Sequence, residues 1–252
     1  MSDLKPIIAY VHGESTHPSA HPPRTSETPP QVLSLTILPL TPPKTEGGGP
    51  NPYKVIIALE ELSLPYEKVP VPDPKAEWFT SEINPNGRIP AIRDPNNGDL
   101  VLWESGAIVE YLVDTYGRGR KLTASDEGGG ADKWRLKQFL HFQMSGQGPY
   151  YGQSIWFHKN DPANAVAKER YNEQIVRVIG VLDGLLKGKE YLVGDKFTYA
   201  DLVFIPWNRV IGYMPFLKEG LWDKYDIANK YPNYMAWNER LNERESVKKA
   251  YA

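Results

Sequence analysis

An acidic and a hydroxyl side chain, Glu104 and Ser105, stand at the predicted start of a helix, directly after a short strand that ends at Trp103. The free N–H groups of a helix start carry a partial positive charge and bind carboxylates. The Ser105 hydroxyl adds a donor there, and the Glu104 carboxylate can hold an ammonium group. The pair therefore predicts a subsite for the head of an amino acid.

A proline lies inside the predicted strand Arg88–Arg93, in the dipeptide Ile89-Pro90. Proline lacks a ladder donor, so in sheets it belongs at an edge, at a strand start or at a cis turn. If the Ile89–Pro90 bond is cis, the N–H and C=O of Ile89 point away from the sheet and can pair with an extended peptide. Combined with the amino-acid subsite, this predicts a peptide ligand with a free amino-acid terminus.

The chain contains no cysteine among its 252 residues. Disulfides, cysteine–metal sites and a thiol nucleophile of the protein itself are therefore excluded. Any sulfur chemistry at this site has to use a thiol that belongs to the ligand.

The elements that position these groups follow from hydrophobic pattern and turn chemistry. The sequence predicts strands at Val32–Leu40, Tyr66–Val71 and Leu100–Trp103, and helices that begin at Asn51 and Ser105. Asn51-Pro52 is a strong helix start, with a capping residue type followed by proline at the first turn. From Ala131 onward the pattern is helical, with an interruption at SGQGPYYGQ, where glycines and a proline weaken the helix.

These boundaries divide the chain into four predicted parts. Residues 1–31, rich in proline, serine and threonine, have no apolar periodicity beyond IIAYV and are expected to form a largely disordered leader, with room for one short ordered piece. Residues 32–118 are expected to form an α/β domain, residues 119–130 a linker, and residues 131–252 an all-helical domain.

Several segments together resemble a known family. NPNGRIPAI followed by WESGAIVEYL is similar to the glutathione-binding half of a thioredoxin-fold glutathione transferase. GPNPYKVIIALEELSLPYE, SGQGPYYGQ, YLVGDKFTYADLVFIPWN and YPNYMAWNERL follow in the family's order, over roughly residues 32–248. The chain resembles most the fungal branch related to the yeast nitrogen-regulator prion protein. The resemblance implies an α/β thioredoxin-like N-terminal domain plus an all-α C-terminal domain.

The resemblance also implies roles for individual residues. The implied set is Asn51 and Tyr53 as catalytic groups; Lys75, Arg88, Ile89, Pro90, Glu104 and Ser105 for glutathione; and Tyr150, Tyr151, Trp156, His158 and Asn208 for the second substrate.

Some of these residues have simpler structural alternatives. Asn51 would lower the pKa of the glutathione thiol through its amide and the helix start, or it would merely cap Tyr53 or Lys54. Tyr53 is a rival donor that packing could also explain. Arg88 and Lys75 would bind the glycine carboxylate of glutathione or remain solvated charges.

Asp201 and Trp207 also have structural explanations. We expect Asp201 to complete a capping box with Thr198, a structural role, and Trp207 to pack in the core.

The function implied by the resemblance is activation of the glutathione thiol for addition to an electrophilic small molecule, such as a fungal secondary metabolite. The product would be a conjugate, or a cis/trans isomer if the addition reverses. Alternatives are a glutathione-dependent disulfide reductase or peroxidase, a translation-factor subunit, and a non-catalytic glutathione-binding regulator or carrier.

Composition limits the possible partners. A net charge of −2 provides no basic patch for nucleic acid, and no apolar run reaches membrane-spanning length. The leader histidines lack a rigid frame, so we expect no metal. We expect a cytoplasmic protein, and the family resemblance implies a homodimer.

Overall fold

The computed structural model describes residues 4–13, 49–124 and 129–252. The first half is an α/β unit, in which β1 pairs in parallel with β2 and antiparallel with β3, and β3 pairs antiparallel with β4, in the sheet order β2-β1-β3-β4. The unit contains β1 (Ile7–Val11), α1 (Asn51–Leu62), β2 (Tyr66–Pro70), α2 (Glu77–Glu82), β3 (Ala91–Asp94), β4 (Leu100–Trp103) and α3 (Ser105–Tyr116). This arrangement confirms the predicted thioredoxin-like domain.

The second half is all-helical, as predicted. After a 3₁₀ turn at Arg118–Arg120, it contains α4 (Gly129–Phe142), α5 (Gly148–Asn160), α6 (Ala165–Leu186), α7 (Tyr199–Leu202), α8 (Ile205–Tyr213), α9 (Pro215–Leu217), α10 (Ile227–Lys230), α11 (Pro232–Asn242) and α12 (Glu245–Ala250). Across the ranges that the structure describes, none of the helices is both long and apolar enough to cross a membrane.

The first strand differs from the prediction. The predicted strand Val32–Leu40 lies outside the described residues, and Ile7–Val11 occupies the sheet position between β2 and β3. Residues 7–11 therefore belong to the thioredoxin-like domain and not to a leader. Both runs are apolar and rich in strand-forming residues, so local pattern does not distinguish them. Pairing with β2 and β3 places Ile7–Val11 in the sheet.

The loop before β3 is shaped by a buried asparagine. Asn84 accepts from the backbone N–H of Asn86 at 2.9 Å and donates to the Arg88 carbonyl at 2.6 Å. The Ile89–Pro90 bond is cis, and β3 begins at Ala91. The predicted strand start at Arg88 was therefore three residues early, because the asparagine bonds hold the preceding residues in a turn.

Helix α1 is buried on almost every side, since it packs against the sheet, against α3 and against α7, α8 and α12 of the second domain. Its apolar side chains are almost completely excluded from solvent, at 0–2% exposed: Val55, Ile56, Ile57, Ala58, Leu59 and Leu62. Both domains thus share this helix as part of one hydrophobic core.

The helical domain departs from the sequence pattern in two places. The segment Gln143–Gln147 is a π-helical turn that connects α4 to α5, so the glycines widen the helix and do not break it. The hydrophobic spacing along α6 predicts that Leu185 is buried, but Leu185 is 41% exposed and Leu186 is buried. In the first domain, the spacing along α3 predicts that Ala107 is buried, and the structure leaves it exposed. The packing of each helix against its neighbours decides which of two adjacent residues is buried, and hydrophobic spacing alone does not decide it.

The predicted capping box at the start of α7 is confirmed. Asp201 is completely buried and accepts from the Thr198 N–H at 3.0 Å and the Thr198 hydroxyl at 3.1 Å. Its other oxygen accepts from the Leu192 N–H at 2.9 Å and the Trp237 indole at 3.0 Å. The carboxylate joins three segments of the second domain.

We expect Asp201→Ala to lower the free energy of unfolding by about 3–5 kcal/mol, because it leaves several buried donors without an acceptor. Thr198→Ala removes a cap hydroxyl and should cost about 1–2 kcal/mol. Urea unfolding measures both. Equal losses for the two variants would show that Asp201 acts as a cap and not as a junction.

Candidate functional site

Asn51 is held by a residue of the second domain. The Trp207 indole N–H, on α8, donates to Asn51 Oδ1 at 3.0 Å. The N-cap position of α1 is Pro50, and the Tyr53 N–H donates to the Pro50 carbonyl at 3.1 Å, which does not support the alternative that Asn51 caps Tyr53. An amide has one acceptor and two donors on separate atoms. With Oδ1 occupied, Nδ2 is the end that Asn51 offers as a donor.

Tyr53 packs against the C-terminal segment. Its ring stacks on Tyr251, with centroids 4.1 Å apart and planes 12° apart. Burial raises the pKa of the Tyr53 hydroxyl, although the Arg209 charge opposes the shift. The observed contact is therefore a packing contact, and a donor role for Tyr53 stays a prediction.

The start of α3 has the geometry of an anion subsite. The first helical hydrogen bond runs from the Ile108 N–H to the Glu104 carbonyl, so the N–H groups of residues 105–107 have no partner within the helix. Glu104 is exposed and has a φ of 73°, a conformation that costs a non-glycine residue about 1–3 kcal/mol. Strain of this size persists where the surrounding structure imposes it, often at ligand sites.

Lys54 is a residue that the sequence analysis did not identify. It is 1% exposed, and its ammonium lies 3.4 Å from Ser105 Oγ and 2.5 Å from Gln143 Oε1. Burial lowers the pKa of Lys54 to about 7, and the Glu104 charge opposes that shift. The sequence did contain a signal for its burial, since Lys54 directly precedes the apolar run Val55–Leu59, which predicts a helix segment that is buried on all sides.

A buried polar chain continues from Lys54 into the second domain. Gln143 Nε2 donates to Gln147 Oε1 at 3.0 Å, and Gln147 Nε2 donates to Asn208 Oδ1 at 2.7 Å. All three side chains are at most 1% exposed. The chain therefore joins the start of α3 to α8, the helix whose Trp207 holds Asn51.

Three of the residues expected to hold the rest of the peptide lie on the loop before β3, namely Arg88, Ile89 and Pro90. Arg88 is exposed and Ile89 is half-buried, outside the paired register of β3. Lys75 donates to the Asn86 carbonyl at 3.0 Å, so it also supports this loop. The structure brings these residues to one loop, and their roles toward glutathione stay predictions.

The expected second-substrate residues divide into two groups. Trp156 is 49% exposed, and His158 and Tyr150 are partly exposed. Tyr151 and Asn208 are buried at 0% and 1%, which does not support direct contact with a substrate for these two. Both face the interior because α5 and α8 pack closely there, with Tyr151 edge-on to Trp207.

The other three residues of the second-substrate set all make aromatic contacts. The Trp156 ring lies edge-on to Phe157, with centroids 5.0 Å apart. Tyr150 is turned toward Tyr171 of α6, and the His158 ring stacks on Phe216.

Glycines of α5 lie against the Trp207 indole. A Cβ at Gly152 would lie 3.2 Å from the ring, and one at Gly148 would lie 3.4 Å from Nε1. The absence of side chains at these two positions leaves room for the Trp207 indole against α5.

In residues 4–13, 49–124 and 129–252, no group of three or more His, Asp or Glu side chains is placed to hold a metal ion.

The pKa of Lys54 can be tested through stability. The unfolded chain protonates Lys54 below its ordinary pKa of about 10.4, whereas the folded chain protonates it only below about 7. Between these values the unfolded state binds more protons, so the free energy of unfolding should rise with pH, by up to about 1.4 kcal/mol per pH unit.

Urea unfolding of wild type and Lys54→Met at about pH 7 and about pH 9 measures this contribution. We expect the difference between the two proteins to shift in favour of wild type as pH rises. Parallel pH dependences would show that Lys54 does not titrate in this range.

Two family models match this chain. Residues 48–115 match the glutathione S-transferase N-terminal domain, and residues 150–245 match the glutathione S-transferase C-terminal domain. Among curated relatives, glutathione S-transferase 2 of Schizosaccharomyces pombe is 41% identical over 219 residues, covering 82% of this chain and 93% of that protein.

Solved structures agree with the sequence matches. The glutathione transferase URE2P6 from Phanerochaete chrysosporium, in complex with oxidized glutathione, is 35% identical, covers 100% of this chain and 97% of its own, and has a TM-score of 0.76. Ure2p5 from the same organism, cocrystallized with 1-(S-glutathionyl)-2,4-dinitrobenzene, is 37% identical, covers 80% and 88%, and has a TM-score of 0.68. The chain is therefore an enzyme of the glutathione S-transferase family, in its fungal Ure2-type branch.

Proposed function

We propose that this enzyme ionises the glutathione thiol at the start of α1 and adds the thiolate to an electrophilic small molecule. The observation that carries the proposal is the 3.0 Å hydrogen bond from Trp207 Nε1 to Asn51 Oδ1. Because this bond holds Oδ1, Nδ2 would be the atom that Asn51 offers to a thiol bound at the helix start. An N–H donor and a helix N-terminus each stabilise a thiolate and lower the thiol pKa.

The three residues of glutathione would each bind a different part of the site. Its γ-glutamyl head would lie on Glu104 and the N–H groups of α3, and its cysteinyl backbone would pair with Ile89. Its glycine carboxylate would face Arg88 or Lys75. The complex of the Phanerochaete relative with oxidized glutathione supports this assignment.

The electrophile would enter beside the exposed Trp156 and the partly exposed Tyr150 of α5. This surface suits a flat, aromatic compound, such as a fungal secondary metabolite. The dinitrobenzene conjugate bound to Ure2p5 supports conjugation as the reaction. In such a step the thiolate sulfur bonds to an electrophilic carbon, and the leaving group departs with the electron pair. A reversible addition to an alkene would instead give cis/trans isomerisation with glutathione as cofactor.

A second candidate reaction is disulfide exchange, in which a glutathione thiolate attacks the glutathione sulfur of a mixed disulfide. The old S–S bond breaks, the other sulfur leaves as a thiolate, and oxidized glutathione forms. The oxidized glutathione held by the URE2P6 relative favours it. The absence of cysteine in this chain makes glutathione the thiol in either reaction. The homodimer and the cytoplasmic location stay predictions.

Asn51→Ala should reduce kcat with 1-chloro-2,4-dinitrobenzene by about 100-fold, because it removes the donor to the thiolate. Trp207→Phe should reduce it by about 10-fold, since the amide is no longer held, and both should leave the Kd of S-methylglutathione nearly unchanged. Trp134→Phe, at a position that is 67% exposed, is the matched control.

Steady-state kinetics and calorimetry separate these effects. Unchanged turnover in Asn51→Ala would assign activation to Tyr53 or to the helix start alone. The same variants assayed with 2-hydroxyethyl disulfide show whether disulfide exchange uses the same donor.

Glu104→Gln should weaken glutathione binding by about 10- to 100-fold, because a charge-assisted hydrogen bond to the ligand ammonium is lost. Its thermal stability should stay close to that of wild type, since Glu104 is exposed. Calorimetry and a melting curve test this, with the exposed Glu173→Gln as control. A stability loss with intact affinity would make Glu104 a helix-start residue without a role in binding.

A further inference from the structure

Lys54 is a cation enclosed beneath the subsite proposed for the γ-glutamyl head. From α3 it faces the Ser105 hydroxyl at 3.4 Å and lies within the field of Glu104. From the π-helical turn it faces Gln143 and Met144, both uncharged, with Met144 Sδ at 3.5 Å. Because Lys54 is 1% exposed, it reaches a ligand through Ser105 and the start of α3, not by direct contact.

The polarity of the chain behind Lys54 follows from its donor chemistry. An ammonium donates and cannot accept, so Gln143 must present Oε1 to it. Gln143 then has its NH₂ group for Gln147 Oε1, and Gln147 has its NH₂ group for Asn208 Oδ1, as observed. Every amide oxygen in the chain therefore points toward Lys54.

Aligned amide dipoles stabilise a charge without supplying a full opposite charge. The far end of the chain is Asn208, whose Nδ2 is buried with no hydrogen-bond partner among the described residues. An ion pair with a close carboxylate would hold Lys54 charged in all conditions. Neutral amide dipoles stabilise the charge less than a carboxylate does, so the protonation state of Lys54 can change when an anion binds at the start of α3.

We propose that Lys54 is a positioning residue that takes up a proton when the γ-glutamyl carboxylate of glutathione binds at the start of α3, and so holds Ser105 and the carboxylate in place. The proton passes from solvent to the lone pair of Nζ, and no other bond changes. This inference rests on the proposed function, because it requires glutathione at that subsite.

The electrostatics have a definite sign. In the free protein, burial lowers the pKa of Lys54 to about 7, so part of the population is neutral at neutral pH. A carboxylate arriving nearby favours the charged form and raises this pKa. Binding above pH 7 therefore takes up protons, and affinity falls as pH rises. Ionisation of the glutathione thiol releases a proton, so the two effects oppose each other in glutathione itself.

S-methylglutathione separates proton uptake by Lys54 from ionisation of the thiol, since its sulfur carries no proton. We would titrate it into the full chain at about pH 7.5 in phosphate and in Tris, whose different ionisation enthalpies report the protons exchanged. Wild type should take up about half a proton, and its Kd should rise several-fold from about pH 7 to about pH 8.5.

Lys54→Met should bind at least about 10-fold more weakly and without proton uptake, since it removes the charge at similar volume. Lys54→Arg keeps a permanent charge, so it should retain most of the affinity and lose the uptake. The exposed Lys187→Met should behave as wild type. A residue that only joined the two domains would change stability without changing the proton count.

Wild-type binding with the same enthalpy in both buffers would overturn the proposal, whether or not the variants fold, and would leave the proposed function intact. Uptake that persists in Lys54→Met would also overturn it, because the proton would then belong to another group. No binding of either glutathione or S-methylglutathione would instead overturn the proposed function.

Discussion

The burial of α1 between the sheet and the helical domain is the constraint on which the rest of the structure depends. This helix carries Asn51 at its start and Lys54 one turn later, so the proposed thiol and head subsites share one rigid element. Its start is held by Trp207 of α8 through the Asn51 amide. Near its end, Glu61 accepts two hydrogen bonds from Arg244, at 2.7 and 2.9 Å. Neither domain alone could fix its position.

Placing polar groups in this shared core has an energetic cost that the structure offsets locally. An unpaired buried amide or ammonium is strongly destabilising. Here each buried group has a partner, because Lys54 donates to Gln143, Gln143 donates to Gln147, and Gln147 donates to Asn208. A network of this kind has few satisfactory arrangements, so it favours one relative placement of the two domains. Stability and the geometry of the proposed site therefore depend on the same contacts.

Much of the fold could be predicted because its signals are local. Three signals depend on neighbours within a few residues and lie where they were expected: the Asn51-Pro52 helix start, the strand Leu100–Trp103 and the Thr198–Asp201 box. Ile7–Val11 was not predicted as the first strand, because it and Val32–Leu40 are similar runs in the sequence. Pairing with β2 and β3, more than 50 residues away, places Ile7–Val11 in the sheet.

The sequence by itself determined the family, the two-domain architecture and the residue types at the starts of α1 and α3, because these follow from motifs and from short-range chain geometry. Tertiary structure decided which atoms those residues offer. The orientation of the Asn51 amide, the burial of Lys54 and the interior positions of Tyr151 and Asn208 each depend on a partner from another element. The Asn51–Trp207 bond spans 156 positions, and no local pattern records such a contact, since it exists only once both domains have packed around α1.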